Sequence, residues 1–422
     1  MAQLALKGGK PVRTRPFRSW HIYDERELKN IKEVLQSDIW GGFFPFLYGE
    51  GGEPRPTKIE ELEERFARYH DAKYGICTTS GTIAMESALR AVGVGQNDEV
   101  IIPTIASGCN ALVNAALGVG AIPIFVDIDP FTYCIDPVKV EEAITDKTRA
   151  IIPVHFGGYL ADIDRLIHLS QSHNMFLIED ACQAHGGKWR GKGVGSFGDL
   201  GCFSFQDFKL MTSGEGGIII TNNAKYDQMC HSYVNCGRIR QNDVYHEEVL
   251  GNNYRMTEIQ AAILLAQFER LPEQTKKRQE NARYLSKELS QIEGIEPLQS
   301  TPEQAYYYYI FKYDKKGFNN VPLDLFIKAL QEEGIPVKRL IPPEYMFIIS
   351  DTHYPQFCRY YSENTEQARA FVKRRSQVAI KAYEESAWIH HSVLLGSVAD
   401  MDDIIMAIDK IKKHAKELET LC

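Results

Sequence analysis

The chain has 422 residues, of which 44% are apolar and 25% charged, and its 48 Lys+Arg against 56 Asp+Glu leave a formal charge of −8. These are globular proportions with length for two or three domains. A mildly acidic chain without a clustered basic stripe lacks the electrostatic footprint of a duplex binder, so no nucleic-acid partner is expected.

In chain order, the opening MAQLALKGGKPVRTRP has basic residues but no apolar core of signal-peptide length. Glu60 to His70 and Thr82 to Val92 have helical periodicity, whereas Glu99 to Pro103, Ile122 to Asp127, Ala150 to Val154 and Met175 to Asp180 are short apolar runs closed by polar or Pro/Gly breaks. The most apolar stretch, Ala111 to Val126, is interrupted by Asn114, Gly118, Gly120 and Pro123. It falls short of the roughly 18 apolar residues of a spanning helix and reads as a buried helix running into a strand. Together these features predict a cytoplasmic protein with no membrane association. Helical segments at Pro137 to Ile144 and Ile163 to Ser172 separate the later runs. Strands alternating with helices predict an α/β fold whose mostly parallel sheet lies between helices. Ile218 to Thr221 is one more strand, followed by an apolar helix at Thr257 to Leu271 and a charged helical stretch at Glu273 to Ser290. A second, smaller αβ region contains Tyr306 to Tyr313, a helix at Leu323 to Glu333 and a terminal helix from Asp402 to about Leu421. These divide the chain into a large domain over 1–280 and a small C-terminal domain over 281–422, on which the N-terminal arm is expected to pack. The nine cysteines are scattered without a CxxC pair, the usage of a reduced protein.

Ligands of such sheets bind beyond the carboxyl ends of the strands, and three segments there hold residues suited to chemistry. Thr78 to Thr82 (TTSGT) precedes a helix, where free N–H groups, hydroxyls and the positive dipole end suit a phosphate. The same residues also suit a plain N-cap. The Glu179-Asp180 pair ends an apolar strand and can place one carboxylate against a cationic nitrogen. Asp180 and His185 are too few for a metal centre, and none is expected. Gln183 and His185 can reach a ring hydroxyl or a substrate, although His185 is equally readable as a core histidine. Lys209 lies between Phe208 and Leu210 ahead of a Gly-rich turn. Partial burial makes an amine a usable nucleophile and proton shuttle, while a snorkelling surface lysine is the alternative. A phosphate cradle, a carboxylate and a poised amine are the parts that pyridoxal phosphate requires.

TTSGT, PVHFGG, IEDACQAHGG, FSFQDFKLMTSGEGG and GNNYRMTEIQAA occur in that order along nearly the whole chain. With them the sequence resembles the DegT/DnrJ/EryC1/StrS family of sugar and cyclitol aminotransferases, which have the type I fold of pyridoxal phosphate enzymes. LALKGGKPVR and WIHHSVLLG are similar to the branch that aminates keto-cyclitols such as scyllo-inosose with glutamine. The resemblance implies that Lys209 bonds the cofactor aldehyde and that Asp180 holds the pyridine nitrogen protonated. It further implies that Gln183 contacts the ring, and that Ser80, Gly81, Thr82 and Ser204 bind the phosphate. Asn253 in GNNYRM matches an asparagine that reaches the phosphate from the other subunit, which implies a homodimer with shared active sites. Arg255, His185 and Tyr308 are candidates for shaping the substrate pocket. One departure is that Thr104 to Asn110 (TIASGCN) offers no aromatic to stack on the ring, leaving Ser107 or Cys109 or another loop to cover it.

The reaction so implied moves an amino group from glutamine or glutamate to a keto-cyclitol or keto-sugar, as in aminoglycoside and amino-sugar biosynthesis. The rivals are amination of a nucleotide-linked keto-sugar, a dehydratase or aminohydroxybenzoate-synthase type of lyase, and a regulatory protein on the same scaffold. In the dehydratases a histidine replaces the lysine, and a regulatory relative is expected to lose the lysine or its acidic partner. This chain keeps both.

Overall fold

The computed structural model describes residues 3–41, 57–105, 111–240, 247–343 and 365–418. The apolar runs become β1 (Tyr74–Thr78), β2 (Glu99–Pro103), β3 (Ile122–Val126), β4 (Thr148–Ile151) and β5 (Phe176–Asp180). A two-stranded hairpin, β6 (Lys188–Trp189) and β7 (Lys192–Gly193), then precedes β8 (Leu200–Ser204) and β9 (Gly217–Thr221). Seven of these form one sheet in the order β1-β9-β8-β5-β4-β2-β3. Only β9 runs against its neighbours; the pairs from β8 to β3 are all parallel. Parallel pairs need crossover connections, and here helices at Gly81–Ala91, Ala111–Gly118, Pro137–Ala143 and Ile163–Ser172 supply them. Because helices cover both faces, β2, β8 and β9 are buried at every position.

Four differences from the sequence reading have physical causes. β4 ends at Ile151 rather than Val154, since Pro153 has no N–H to continue the ladder and contributes only its carbonyl, to Asp180. β8 lies inside a stretch that reads as loop because Gly201 interrupts it. A Cβ there would lie 2.1 Å from the Gly195 carbonyl oxygen, so only glycine allows the approach. The helix Asp24 caps, Glu25–Gln36, has a capping box with Glu27. Finally, Thr257 to Leu271 and Glu273 to Ser290 are one helix, Glu258–Leu289, which passes through Pro272. Buried Leu265 and Leu271 on one side, and Ala282 and Leu285 on the other, outweigh the hydrogen bond that the proline removes. Residue 280 therefore falls inside this helix.

A second sheet, all antiparallel, has the order β10 (Ile295–Pro297), β11 (Tyr308–Tyr313), β13 (Ser386–His390), β12 (Val337–Arg339). The N-terminal arm lies against the helices beside it. Arg13 Nη1 is 2.7 Å from both Asp400 and Asp403, and buried Glu333 accepts the Ala5 and Val12 N–H groups at 2.9 Å. The terminal helix is Val398–Lys413 with a short continuation at Ala415–Leu418. No helix of the described residues is long and apolar enough to cross a membrane, and the six described cysteines are all free thiols.

Candidate active site

The end of β5 sorts the acidic pair, because successive strand residues face opposite sides of the sheet. Glu179, fully buried, accepts the N–H groups of Phe197 at 2.7 Å and of Gly195 and Gly198 at 2.8 Å, and His155 Nε2 at 3.1 Å. His155 Nδ1 accepts the Ala161 N–H, so the imidazole proton sits on Nε2 and is donated to the Glu179 carboxylate. Burial alone would raise the Glu179 carboxyl, but these four donors hold it below its ordinary value. Glu179 is thus a framework residue. Its stabilisation is complete above the unfolded value of 4.5 and is lost as pH falls through the lower folded value. Glu179→Gln, which leaves buried donors unmatched, is expected to destabilise the protein by about 3 kcal/mol in urea unfolding.

Asp180 is positioned by its own backbone: its N–H donates to the Pro153 carbonyl and its carbonyl accepts from His155. Its Oδ1 accepts the Cys182 N–H at 3.0 Å. The Cys182 thiol lies against the same carboxylate, and burial pushes that thiol well above its ordinary value. Neither contact supplies a counter-charge, so of the two carboxylates Asp180 is the one left to pair with a cationic ring nitrogen.

The TTSGT turn meets β5 and β8 at Gly81. Ser80 Oγ accepts the Ile83 N–H at 3.2 Å, which makes Ser80 the N-cap of helix Gly81–Ala91. A Cβ on Gly81 would stand 2.7 Å from Ser204 Cβ and 3.0 Å from Cys182 Sγ. Gly81 thus packs directly on Ser204 and Cys182 with no room for a side chain, which brings the TTSGT turn and Ser204 together at a helix N-terminus. The GNNYRM segment runs beside it, with the Thr79 N–H donating to the Tyr254 carbonyl at 2.9 Å. Asn253 itself is exposed.

Lys209 follows a turn closed by its N–H donating to the Gln206 carbonyl at 2.9 Å. The side chain is only 7% exposed, and Nζ stands 4.9 Å from the centre of the Tyr307 ring. The surface-lysine alternative is thereby excluded. The tyrosine against Lys209 is Tyr307 and not Tyr308, whose ring packs behind it on Tyr307 at 4.3 Å and on Trp388 at 4.1 Å. Tyr307 precedes β11, which begins at Tyr308, and the two rings touch, so the YYYY run alone does not separate them.

Three further expectations are corrected or narrowed. His185 is fully buried among Phe66, Phe203 and Phe205, with ring centroids at 5.4 to 6.2 Å, and burial pushes it well below the ordinary imidazole value. It packs as a core residue, with neither ring nitrogen hydrogen-bonded among the described residues. Arg255 donates to Asn235 Oδ1 at 3.0 Å and to Cys236 Sγ at 3.5 Å, bracing the turn ahead of its own segment. Gln183 Oε1 accepts the Gly157 N–H at 2.7 Å, which fixes the Phe156–Gly158 turn and leaves the amide N–H groups free to meet a ligand. Thr104 and Ile105 are buried, while residues 106–110, with Ser107 and Cys109, lie outside the described residues.

A helix N-terminus with no room for a side chain at Gly81, a buried carboxylate that forms no ion pair among the described residues and a buried amine fit the phosphate, ring nitrogen and aldehyde of pyridoxal phosphate.

Comparison with known proteins agrees with this geometry. The sequence profile of the DegT/DnrJ/EryC1/StrS aminotransferase family matches residues 23–408. A protein of Streptoalloteichus tenebrarius, provisionally named an L-glutamine:3-amino-2,3-dideoxy-scyllo-inosose aminotransferase, is 36% identical over 99% of both chains. The L-glutamine:2-deoxy-scyllo-inosose aminotransferase of Micromonospora echinospora is 34% identical over 99% of this chain and 100% of its own. The crystal structure of 3-amino-5-hydroxybenzoic acid synthase superposes with a TM-score of 0.80 at 29% identity, covering 94% of this chain and 99% of that one.

Proposed function

The chain belongs to the DegT/DnrJ/EryC1/StrS family of pyridoxal phosphate-dependent aminotransferases, and from that premise we propose that it transfers the α-amino group of L-glutamine to a keto-cyclitol of the inosose type, with Lys209 as the catalytic amine. The observation that carries the choice of substrates is the full-length match to relatives named for glutamine and inososes.

The bound cofactor supplies an aldehyde for imine exchange and a ring that accepts electrons from a substrate carbanion. The chain supplies the rest. Lys209 Nζ would hold the cofactor aldehyde, and as a free amine it would carry a proton from the donor α-carbon. Asp180 keeps a proton on the ring nitrogen, in a place where burial strengthens the pairing. Ser80, Gly81, Thr82 and Ser204 would hold the phosphate at the helix N-terminus. Tyr307 walls one side of the Lys209 amine and restricts its directions.

The test is a donor series. L-glutamine is expected to convert the cofactor absorbance of the holoprotein to that of the amine form in a single turnover, and an amino-cyclitol is expected to do the same. Conversion by nucleotide-linked amino-sugars in place of amino-cyclitols would overturn the substrate assignment.

We further propose that the active unit is a homodimer in which Asn253 serves the phosphate of the partner's site. Its exposure, which leaves the side chain open to a second chain, supports this reading. Asn253→Ala and Lys209→Ala proteins, each impaired alone, are then expected to regain activity when mixed under verified subunit exchange, because one site of each mixed dimer has both intact residues. No recovery despite exchange would place Asn253 in its own site or outside catalysis.

A further inference from the structure

The turn that delivers Lys209 is gripped by side chains from opposite ends of the chain. Trp20 Nε1–H donates to the Asp207 carbonyl at 3.1 Å. His21 Nε2 lies 3.2 Å from the same carbonyl and 2.8 Å from Asp207 Oδ1. From the end of the small sheet, His391 Nε2 reaches the Phe208 carbonyl at 3.0 Å. A carbonyl only accepts, so the His391 proton sits on Nε2. The Phe208 side chain is 57% exposed, which shows that this turn is held by its peptide units and not by the packing of its apolar residue.

The gripping groups also touch one another. The Trp20 and His391 rings meet edge to face at 4.4 Å, and His391 stacks on Tyr307 at 5.7 Å with an interplanar angle of 27°. Tyr307 is the ring against Lys209 Nζ. His391 thus acts on both sides of the lysine, on the backbone before it and on the ring beside its amine. It is fully buried; burial, with His390 and Arg278 nearby, pushes it well below the ordinary imidazole value and keeps it a neutral donor.

We propose that His391, together with Trp20, is a positioning residue that fixes the Asp207 and Phe208 peptide units and so aims the Lys209 amine. A lysine side chain has four rotatable bonds, and its reach toward an aldehyde depends on where its Cα and peptide plane are held. Reactions that need a near-attack geometry lose rate steeply with misplacement of about 1 Å. The grip joins the N-terminal arm and the small sheet to the one turn of the large sheet where covalent chemistry takes place. The proposal rests on Lys209 being the cofactor lysine.

The experiment uses the full-length apoprotein. Pyridoxal phosphate is added, samples are quenched with borohydride over time, and the pyridoxyl group on the Lys209 peptide is measured by mass spectrometry alongside the apoprotein melting temperature. His391→Phe keeps a ring against Tyr307 and removes the donor; Trp20→Phe removes the indole N–H; His391→Gln keeps an N–H near the position of Nε2. The first two are expected to capture Lys209 about tenfold more slowly, with melting temperatures within a few degrees of the parent, while His391→Gln recovers to within about threefold. Capture at the parental rate by both His391→Phe and Trp20→Phe overturns the proposal, as does a glutamine variant as slow as the phenylalanine one. Should His391→Phe not fold, Trp20→Phe decides alone. Absence of a Lys209 adduct in the parent protein instead overturns the assignment of the lysine, a result distinct from either.

Discussion

Lys209→Ala will abolish the borohydride-stable cofactor adduct and lower amine transfer by about 10⁴-fold or more. Two roles disappear at once, the covalent attachment and the proton shuttle, and loss of a shuttle alone costs about 10² to 10⁴. The turn itself should survive, because it is closed by the Lys209 N–H on the Gln206 carbonyl and by backbone bonds from Phe205 to Gly216. Alanine preserves all of them. The melting temperature of the apoprotein is therefore expected to stay near that of the parent while both adduct and turnover vanish. An adduct that persists on another lysine would remove Lys209 from the mechanism.

Asp180→Asn will leave cofactor binding largely intact and slow the glutamine half-reaction by about 10²-fold or more. Asparagine retains an oxygen for the Cys182 N–H and the backbone bonds to Pro153 and His155. What it loses is the negative charge that would keep a ring nitrogen protonated. Glu179, one residue earlier, is turned to the other side and saturated by four donors. Stopped-flow absorbance with L-glutamine measures the change. A rate within about threefold of the parent would show that another group pairs with the ring nitrogen.

The parts of the fold that were legible are those where local signals and tertiary demands agree. Glu99 to Pro103 and Ile163 to Ser172 are bounded by their own breaks and caps, and the structure gives them the same limits. Asp24 and Glu27 form a capping box visible in the sequence, and reading it would have located the helix Glu25–Gln36. β8 was not legible, because Gly201 is required by the approach of Gly195, a contact made by chain folding and not by propensity. The same holds for the long helix, where burial on both sides of Pro272 overrides a local break.

At the site, residue types suited to each part of the cofactor were legible; which neighbour faces it was not. The choice between Glu179 and Asp180 depends on which side of a strand each occupies, and that between Tyr307 and Tyr308 on where β11 begins, with Tyr308 its first residue opposite His390. His185 has the residue type of a ligand but lies among three phenylalanines. Trp20 and His391 carry no motif at all, since their role arises only where the arm and the small sheet converge on Asp207 and Phe208.

The most direct measurement is transfer of label. Holoprotein is incubated with L-glutamine carrying ¹⁵N at the α-amino position and with 2-deoxy-scyllo-inosose, and the cyclitol product is analysed by mass spectrometry, with Lys209→Ala as the control. The account predicts ¹⁵N in an amino-cyclitol formed by the parent protein and none formed by the variant. An unlabelled cyclitol, or one that has lost water without gaining an amino group, would contradict it.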